Sequence, residues 1–262
     1  MLRGQARGVI RRLACAVLVV AAAATPAPRP TAAQVGADAR RAVEEFVARF
    51  GDVPISDLAI RQTLTLYHPD GRHPQSTGDQ QLFIKLPRRQ RLEQTIDGQR
   101  EVRLAVADRI WVWRDGKVVE APVPERDRTQ LLTPFARGVD DLLAEWKALG
   151  VRTDVSHRAQ YRRRPVTVIG AAPDDRNVPA VWLDPEYGVV RVVTREKLGS
   201  REAFVDLTLS EHRPLRDGLF FPFREELFAD SRLLFVITVK SIDVNRGLAE
   251  GLFDPDALRR LR

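Results

Sequence analysis

Hydrophobic residues recur at helical spacing in two long segments of the chain. The first segment, residues 37–50, carries an apolar stripe, and Gly51 is placed to end the predicted amphipathic helix. The stripe consists of Val43, Phe46, Val47 and Phe50. The second segment, residues 127–149, has Pro134 placed for a first helical turn and Gly150 just past its end. Its stripe predicts a central helix and consists of Leu132, Phe135, Val139, Leu142, Leu143 and Trp146.

Alternation of apolar and polar residues predicts strands over most of the remaining chain. Between residues 57 and 120 we expect five or six short strands, interrupted by a turn-rich segment at 69–79. Asp-Gly pairs at 97–98 and 115–116 indicate hairpin turns. Strands resume from residue 151 to residue 244, and the C-terminal tail is suited to a short helix. Short strands at this spacing are typical of an antiparallel meander.

The order of these elements predicts one α+β domain over residues 34–262. No linker and no low-complexity segment divides this part of the chain. Two runs of strands surround the central helix, which suggests a continuous curved sheet of about ten strands. The two amphipathic helices are the elements available to cover its concave face.

The first 33 residues have the layout of a secretory signal peptide. Arg3, Arg7, Arg11 and Arg12 precede an unbroken apolar and small-residue run at 13–24, and small residues at 31–33 offer a cleavage site. The run of about a dozen residues is short for spanning a bilayer. An uncleaved membrane anchor remains the alternative interpretation.

Cleavage after Ala33 changes how the charge of the chain is interpreted. The full chain has 42 Lys and Arg against 35 Asp and Glu, a net charge of +7. The leader holds five arginines and no acid, so the processed chain carries +2 and offers no argument for nucleic-acid binding. Cleavage also removes Cys15, the single cysteine, which suits an oxidising export compartment.

Candidate catalytic and metal-ligating residues are sparse. The chain lacks the GxSxG, HExxH, P-loop and GxGxxG motifs. His68, Asp70 and His73 are metal ligands by residue type, but they straddle a proline-containing turn, and a solvated loop is the favoured interpretation. Arginine clusters at 88–91 and 162–164 suit either an anionic partner or a solvated sheet edge, and we favour the edge. We therefore expect no enzyme, no bound metal and no cofactor.

The distribution of apolar faces is compatible with a ligand cavity or with a fully packed core. A curved sheet of this size presents a broad face of Leu, Ile and Val, and small ligands favour the mouths of such barrels. A fully packed core without a cavity fits the same periodicity, so the pattern leaves both open.

The order helix, meander, amphipathic helix, second meander resembles the LolA and LolB lipoprotein carriers and their relatives. Residues 82–99, LFIKLPRRQRLEQTIDGQ, look like the family's strand, Lys-x-Pro turn and strand, and 107–117, ADRIWVWRDGK, like its following hairpin. Residues 178–193, VPAVWLDPEYGVVRVV, resemble its Asp-Pro strand end. Residues 217–227 and 239–258 resemble its closing strands and its Asn-x-x-Leu ending. The resemblance covers essentially the whole processed chain.

This resemblance implies an unclosed antiparallel β-barrel with helices as a lid over an apolar cavity. Family members are exported and bind acyl chains, or sense lipoproteins in the regulatory relatives. The chain departs from the carriers at Leu86. The carriers have an arginine at this position, just before the proline, and that arginine holds the lid shut. The resemblance therefore does not include the arginine on which the carriers' transfer cycle depends.

We accordingly expect a monomeric periplasmic protein that binds acyl chains of lipid or lipoprotein, with a carrier, sorting or chaperone role in outer-membrane biogenesis. The alternative is an envelope regulatory or scaffolding protein that uses the same fold to bind a protein partner. The expected ligand-binding residues are Leu64, Leu66, Leu82, Ile84, Leu104, Val106, Phe135, Val139, Leu142, Trp146, Leu207 and Leu209.

Overall fold

The computed structural model describes residues 35–51, 54–107, 109–122, 138–215 and 218–261. Three α-helices lie in these ranges: α1 (Val35–Gly51), α2 (Val139–Ala148) and α3 (Pro255–Arg259), the last preceded by a 3₁₀ turn at Glu250–Phe253. The strands before α2 are β1 (Asp57–Tyr67), β2 (Pro74–Lys85), β3 (Arg89–Ile96), β4 (Gln99–Val106), β5 (Arg109–Arg114) and β6 (Lys117–Pro122). The strands after α2 are β7 (Ser156–Tyr161), β8 (Arg164–Ile169), β9 (Ala180–Asp184), β10 (Gly188–Leu198), β11 (Arg201–Pro214), β12 (Phe220–Ala229) and β13 (Arg232–Val244).

All the strands join one antiparallel sheet in the order β6-β5-β4-β3-β2-β1-β13-β12-β11-β10-β9-β8-β7. Pairing of β1 with β13 joins the two meanders into a single surface. Strands β6 and β7 end the sheet on opposite sides, so the sheet is unclosed, as expected. The expected number of about ten strands is wrong, because each short alternating segment forms a strand of its own and the described residues already form 13.

Strand β2 begins earlier than the turn-forming residues indicate. The turn-forming residues predict a turn over 69–79, but the second half of this segment pairs with β1 from Pro74 onwards. Ser76 lies opposite Leu66 and Gly78 opposite Leu64. Backbone pairing with a long neighbouring strand here outweighs the weak strand propensity of Pro74, Gly78 and Asp79.

The sheet has two faces, which the alternation along each strand defines. The inner face carries Ile60 of β1, Leu82 of β2 and Leu92 of β3, which lie opposite one another. These residues share one buried cluster with Ile169 of β8 and Val181 of β9. Because strands from both meanders contribute to this cluster, the sheet curls around its inner face.

Helices α1 and α2 pack against the inner face. Val43 and Phe46 of α1 and Leu142 and Trp146 of α2 belong to the same buried cluster. Helix α1 follows the predicted boundaries closely, and Gly150 adopts a positive φ of 84° just past α2, as expected of a helix stop. Leu132 and Phe135 of the expected central stripe lie outside the described residues.

The outer face of β4 and β5 is covered by the C-terminal segment. Phe253 and Leu258 pack against Leu104, Trp111 and Trp113 there. Asp254 begins α3, and its carboxylate accepts hydrogen bonds from the backbone N–H groups of residues 256 and 257 at 2.9 and 3.1 Å. The tail therefore belongs to the fold and holds the outer side of the first meander.

Asn245, the asparagine of the family-like ending, joins the start of β1 to the end of β13. Its side-chain oxygen accepts from the N–H of Ser56 at 2.7 Å, and its amide donates to the carbonyl of Pro54 at 2.5 Å. The buried carboxylate of Asp57 accepts from the N–H groups of Arg246 and Gly247. The asparagine of this ending therefore has a structural role, which is to join the start of β1 to the end of β13.

None of the helices in the described ranges is long and apolar enough to cross a membrane.

Candidate ligand-binding face

The inner face brings together most of the residues expected to bind ligand. Leu82, Ile84, Leu142, Trp146 and Leu209 are buried in the cluster beneath the helices, and Val139 and Leu207 pack against it. Leu64 and Leu66 lie on the same face in a second cluster, with Phe235 and Ile237 of β13. Leu207 also packs against this second cluster.

Leu104 and Val106 lie apart from that group, on the outer face. Leu104 is opposite Arg91 of β3, whereas the inner face of β3 carries Leu92. Both residues pack beneath the C-terminal segment instead of beneath α1 and α2. Alternation along β4 identified a buried face but carried no information on which side of the sheet that face lies. Phe135 falls outside the described residues.

A ladder of polar side chains crosses the inner face between the two apolar clusters. Gln62, Gln80, Gln94 and Glu101 lie directly opposite one another on β1 to β4. The amide of Gln62 donates to Gln80 at 2.8 Å, Gln80 to Gln94 at 2.8 Å, and Gln94 to Glu101 at 2.9 Å. All four side chains are buried. We call these four residues the polar ladder.

Two arginines hold the end of the polar ladder. Arg103 Nε donates to Glu101 Oε1 at 2.7 Å, and Arg114 Nη2 forms an ion pair with Glu101 Oε2. The buried charge of Glu101 is thereby compensated, which burial of a carboxylate requires. The row formed by Ile60, Leu82 and Leu92 lies on one side of the ladder, and Leu64 and Ile96 lie on the other.

The inner face also holds one carboxyl group in apolar surroundings, that of Glu225 on β12. Glu225 is 1% exposed and lies opposite Leu209 of β11 and Ile237 of β13. Among the described residues its Oε2 has no hydrogen-bond partner. Burial raises the pKa of Glu225 from 4.5 to about 8, so the neutral acid predominates near pH 7.

Sequence reasoning missed the polar ladder and Glu225, although a signal was present. In β1 the inner face reads Leu58, Ile60, Gln62, Leu64 and Leu66, so Gln62 occupies an apolar phase. Gln94, between Leu92 and Ile96, and Glu225, between Phe223 and Leu227, interrupt apolar phases in the same way, whereas Glu101 shares its phase of β4 with Arg103. A polar residue at a buried position of an alternating strand therefore marks a polar feature of this interior.

A groove opens where β13 ends, with a volume of about 960 Å³. Apolar side chains of the inner face reach it, and charged residues of the opposite face form its rim. It is lined by Arg61, Pro214, Leu215, Phe223, Ser241, Ile242, Asp243, Val244 and Arg246. The groove is wide open to solvent, and polar surface exceeds apolar surface in its lining.

A charged and aromatic cluster lies at the opposite side of the sheet, around Arg164. The Arg164 guanidinium donates to Asp184 Oδ2 at 2.5 Å, to Glu186 at 2.6 Å, and lies 3.9 Å from the ring centre of Tyr187. Burial tends to raise the pKa of Asp184, but hydrogen bonds from Arg164 and the backbone lower it below its usual value. His212 stacks on Tyr187 at 4.4 Å, and burial lowers its pKa to about 4. The imidazole is therefore neutral near pH 7, and its Nε2 has no hydrogen-bond partner among the described residues. The contacts of the cluster join β8, β9 and β11.

Metal-ligating residues do not converge in the described ranges, where no group of three or more His, Cys, Asp or Glu is placed to hold an ion. His73 Nδ1 lies 2.7 Å from Asp70 Oδ2, and the same carboxylate accepts from the N–H of Arg72. These contacts order the loop between β1 and β2.

No family model and no curated protein matches the sequence. Solved structures do match. A domain from Vibrio parahaemolyticus assigned to outer-membrane lipoprotein sorting has a TM-score of 0.54 at 14% identity, covering 88% of this chain and 100% of that one. A DUF1329 family protein from Desulfovibrio piger has 0.55 at 12% identity, covering 85% and 98%. A LolA superfamily protein from Nitrosomonas europaea has 0.52 at 11% identity, with the same coverage.

At these identities the matches establish the fold. They confirm the resemblance drawn from the order of elements and the loose motifs, because the similarity extends over nearly the whole of each compared chain. The chain has the fold of the LolA-like lipoprotein-sorting proteins.

Proposed function

We propose that this chain is an exported periplasmic protein that binds acyl chains of lipid or lipoprotein on the inner face, in a non-catalytic carrier or sorting role. The observation that carries the proposal is the placement of two amphipathic helices over the larger apolar cluster on the inner face of an unclosed sheet. A structural neighbour with a lipoprotein-sorting assignment supports it. The proposed lining comprises Leu64, Leu66, Leu82, Ile84, Val139, Leu142, Trp146, Leu207 and Leu209, without Leu104 and Val106.

Ligand entry on this proposal requires α1 and α2 to move off the inner face. The two helices are joined at the surface by an ion pair between Arg40 and Asp140, at 2.8 Å, which solvent screens. Leu86, which replaces the carriers' lid-holding arginine, packs against the buried cluster. The helices are thus held to the sheet chiefly by apolar contacts, and an acyl chain can replace those contacts with its own.

Native mass spectrometry of the processed protein from a bacterial host tests the proposal. We expect co-purified lipid, and we expect a fluorescent acyl probe to bind and to alter the emission of Trp146. Leu142→Ala should weaken probe binding. The matched control is Leu258→Ala, which removes an equally buried leucine from the outer cluster and should leave probe affinity unchanged. A protein that carries no lipid and binds no acyl probe would remove the proposal.

The alternative, a regulatory or scaffolding protein of the envelope, is favoured by the outer edge of β6, which pairs with no other strand within the described residues. Val119 on this strand is 64% exposed, and the strand pairs on one side with β5. An unpaired strand edge can accept a strand of another chain. Loss of partner capture after Val119→Lys, with acyl binding unchanged, would select this alternative.

A further inference from the structure

The surroundings of Glu225 show no contact through which its carboxyl would stabilise the fold. Its neighbours on the inner face are Leu209 and Ile237 in the adjacent strands and Phe223 and Leu227 two positions away on β12. A buried polar atom without a partner lowers stability, and Oε2 has none in the described part of the chain. A leucine would fill such a position at no electrostatic cost, so the acid calls for a partner that the described residues do not supply.

The neutral acid offers one hydrogen-bond donor to the inner face. Burial raises the pKa of Glu225 to about 8, so the carboxyl stays mostly protonated near pH 7. A protonated carboxyl donates through its O–H and accepts through its carbonyl oxygen. A donor in apolar surroundings favours a ligand that carries a hydrogen-bond acceptor within an otherwise apolar chain.

We propose that Glu225 is a specificity-determining residue that donates a hydrogen bond to the carbonyl oxygen of an ester-linked acyl chain bound on the inner face. This inference rests on the proposed function and names the ligand's chemical class. Leu209, which lies directly opposite Glu225, belongs to the proposed acyl lining. An acyl chain that lies along Leu209 would therefore pass the Glu225 carboxyl. Apolar contacts do not distinguish an ester from a plain hydrocarbon of the same length. The hydrogen bond from Glu225 would favour the ester.

The test compares methyl palmitate with heptadecane, a hydrocarbon of similar length, as competitors of the fluorescent apolar probe N-phenyl-naphthylamine. The ratio of ester affinity to hydrocarbon affinity should be about tenfold higher in the wild type than in Glu225→Met, the equivalent of one hydrogen bond in a buried site. Methionine matches glutamate in length but donates no hydrogen bond, so the ester carbonyl would be buried there without a partner. Glu225→Gln, which retains a donor, should keep most of the preference. Glu226→Leu on the outer face is the matched control and should behave as the wild type.

Infrared difference spectra give a second measurement that does not depend on a substitution's folding. Methyl palmitate should shift the carbonyl band of the protonated Glu225 carboxyl, and heptadecane should leave it in place. A ratio of ester to hydrocarbon affinity that is the same in the wild type and in Glu225→Met, or an unchanged band, would overturn the inference and leave the proposed function standing. Failure of the probe and of both competitors to bind would overturn the proposed function and this inference together.

Discussion

Burial acts on two side chains of this sheet in opposite directions. The pKa of Glu225 is raised from 4.5 to about 8, and that of His212 is lowered from 6.5 to about 4, in both cases because burial disfavours the charged form. Glu225 therefore contributes stability that is fully present below pH 4.5 and is lost as the pH rises towards and through 8. His212 contributes stability that is present above pH 6.5 and is lost as the pH falls towards 4.

Above pH 6.5, of these two residues only Glu225 changes the free energy of unfolding with pH. We expect the free energy of unfolding to fall between pH 6.5 and pH 8 by up to about 1.4 kcal/mol per pH unit. Urea unfolding across this range should show the slope in the wild type and in His212→Gln. Glu225→Gln should flatten it. A slope that persists in Glu225→Gln would show that another group titrates.

The polar ladder gives a second prediction for a single residue. Gln80 accepts from Gln62 and donates to Gln94, so Gln80→Leu leaves buried amide groups on both neighbours without a partner. We expect a loss of about 1–3 kcal/mol in the free energy of unfolding. Gln81→Leu, at the exposed neighbouring position, is the control and should change stability little. Equal effects of the two substitutions would mean that the ladder is replaceable by apolar packing.

Among the elements, helix α2 decides how tightly the inner face is closed. Trp146 is 5% exposed and lies in the cluster that α1, α2 and the sheet share. Trp146→Ala should lower the free energy of unfolding by about 3–5 kcal/mol, because it leaves a void in a packed cluster. Lys147→Ala, at the exposed neighbouring position, serves as the control. A loss well under 1 kcal/mol for Trp146→Ala would mean that this side chain borders empty ligand space.

Pairing of β2 with β3 depends on the absence of a side chain at Gly78. A Cβ built at Gly78 would lie 2.3 Å from the carbonyl oxygen of Thr95 and 2.5 Å from Cγ1 of Ile96. Gly78→Ala should therefore cost about 1–3 kcal/mol of stability through displacement of β3. Gly251→Ala, where a Cβ meets nothing within 4 Å, is the matched control for chemical denaturation. A Gly78→Ala variant as stable as the control would show that the strands move apart freely.

At the scale of the whole molecule, export is the prediction on which the proposed location depends. The basic start, short apolar run and small residues before Gln34 motivate cleavage near Ala33, in residues that lie outside the described ranges. N-terminal sequencing of the exported protein should begin near Gln34. A membrane-embedded product that still begins at Met1 would contradict this prediction and the periplasmic assignment.

The sequence by itself determined the local elements. Helical spacing predicted α1, alternation marked each strand, and Asp-Gly pairs predicted the hairpins after β3 and β5. These features depend on contacts between near neighbours, which a periodic pattern records directly. The order of the elements also identified the fold that the solved structures confirm.

The tertiary structure alone decided which side of the sheet each alternating face occupies. Leu64 and Leu104 follow the same strand pattern, yet they lie on opposite faces because register passes from strand to strand through β2 and β3. The same register aligns Gln62, Gln80, Gln94 and Glu101 into one row and surrounds Glu225 with apolar side chains. Period-two alternation separates the two faces of a strand but does not say which of them is the inner face of the sheet. Only long-range pairing between strands decides that.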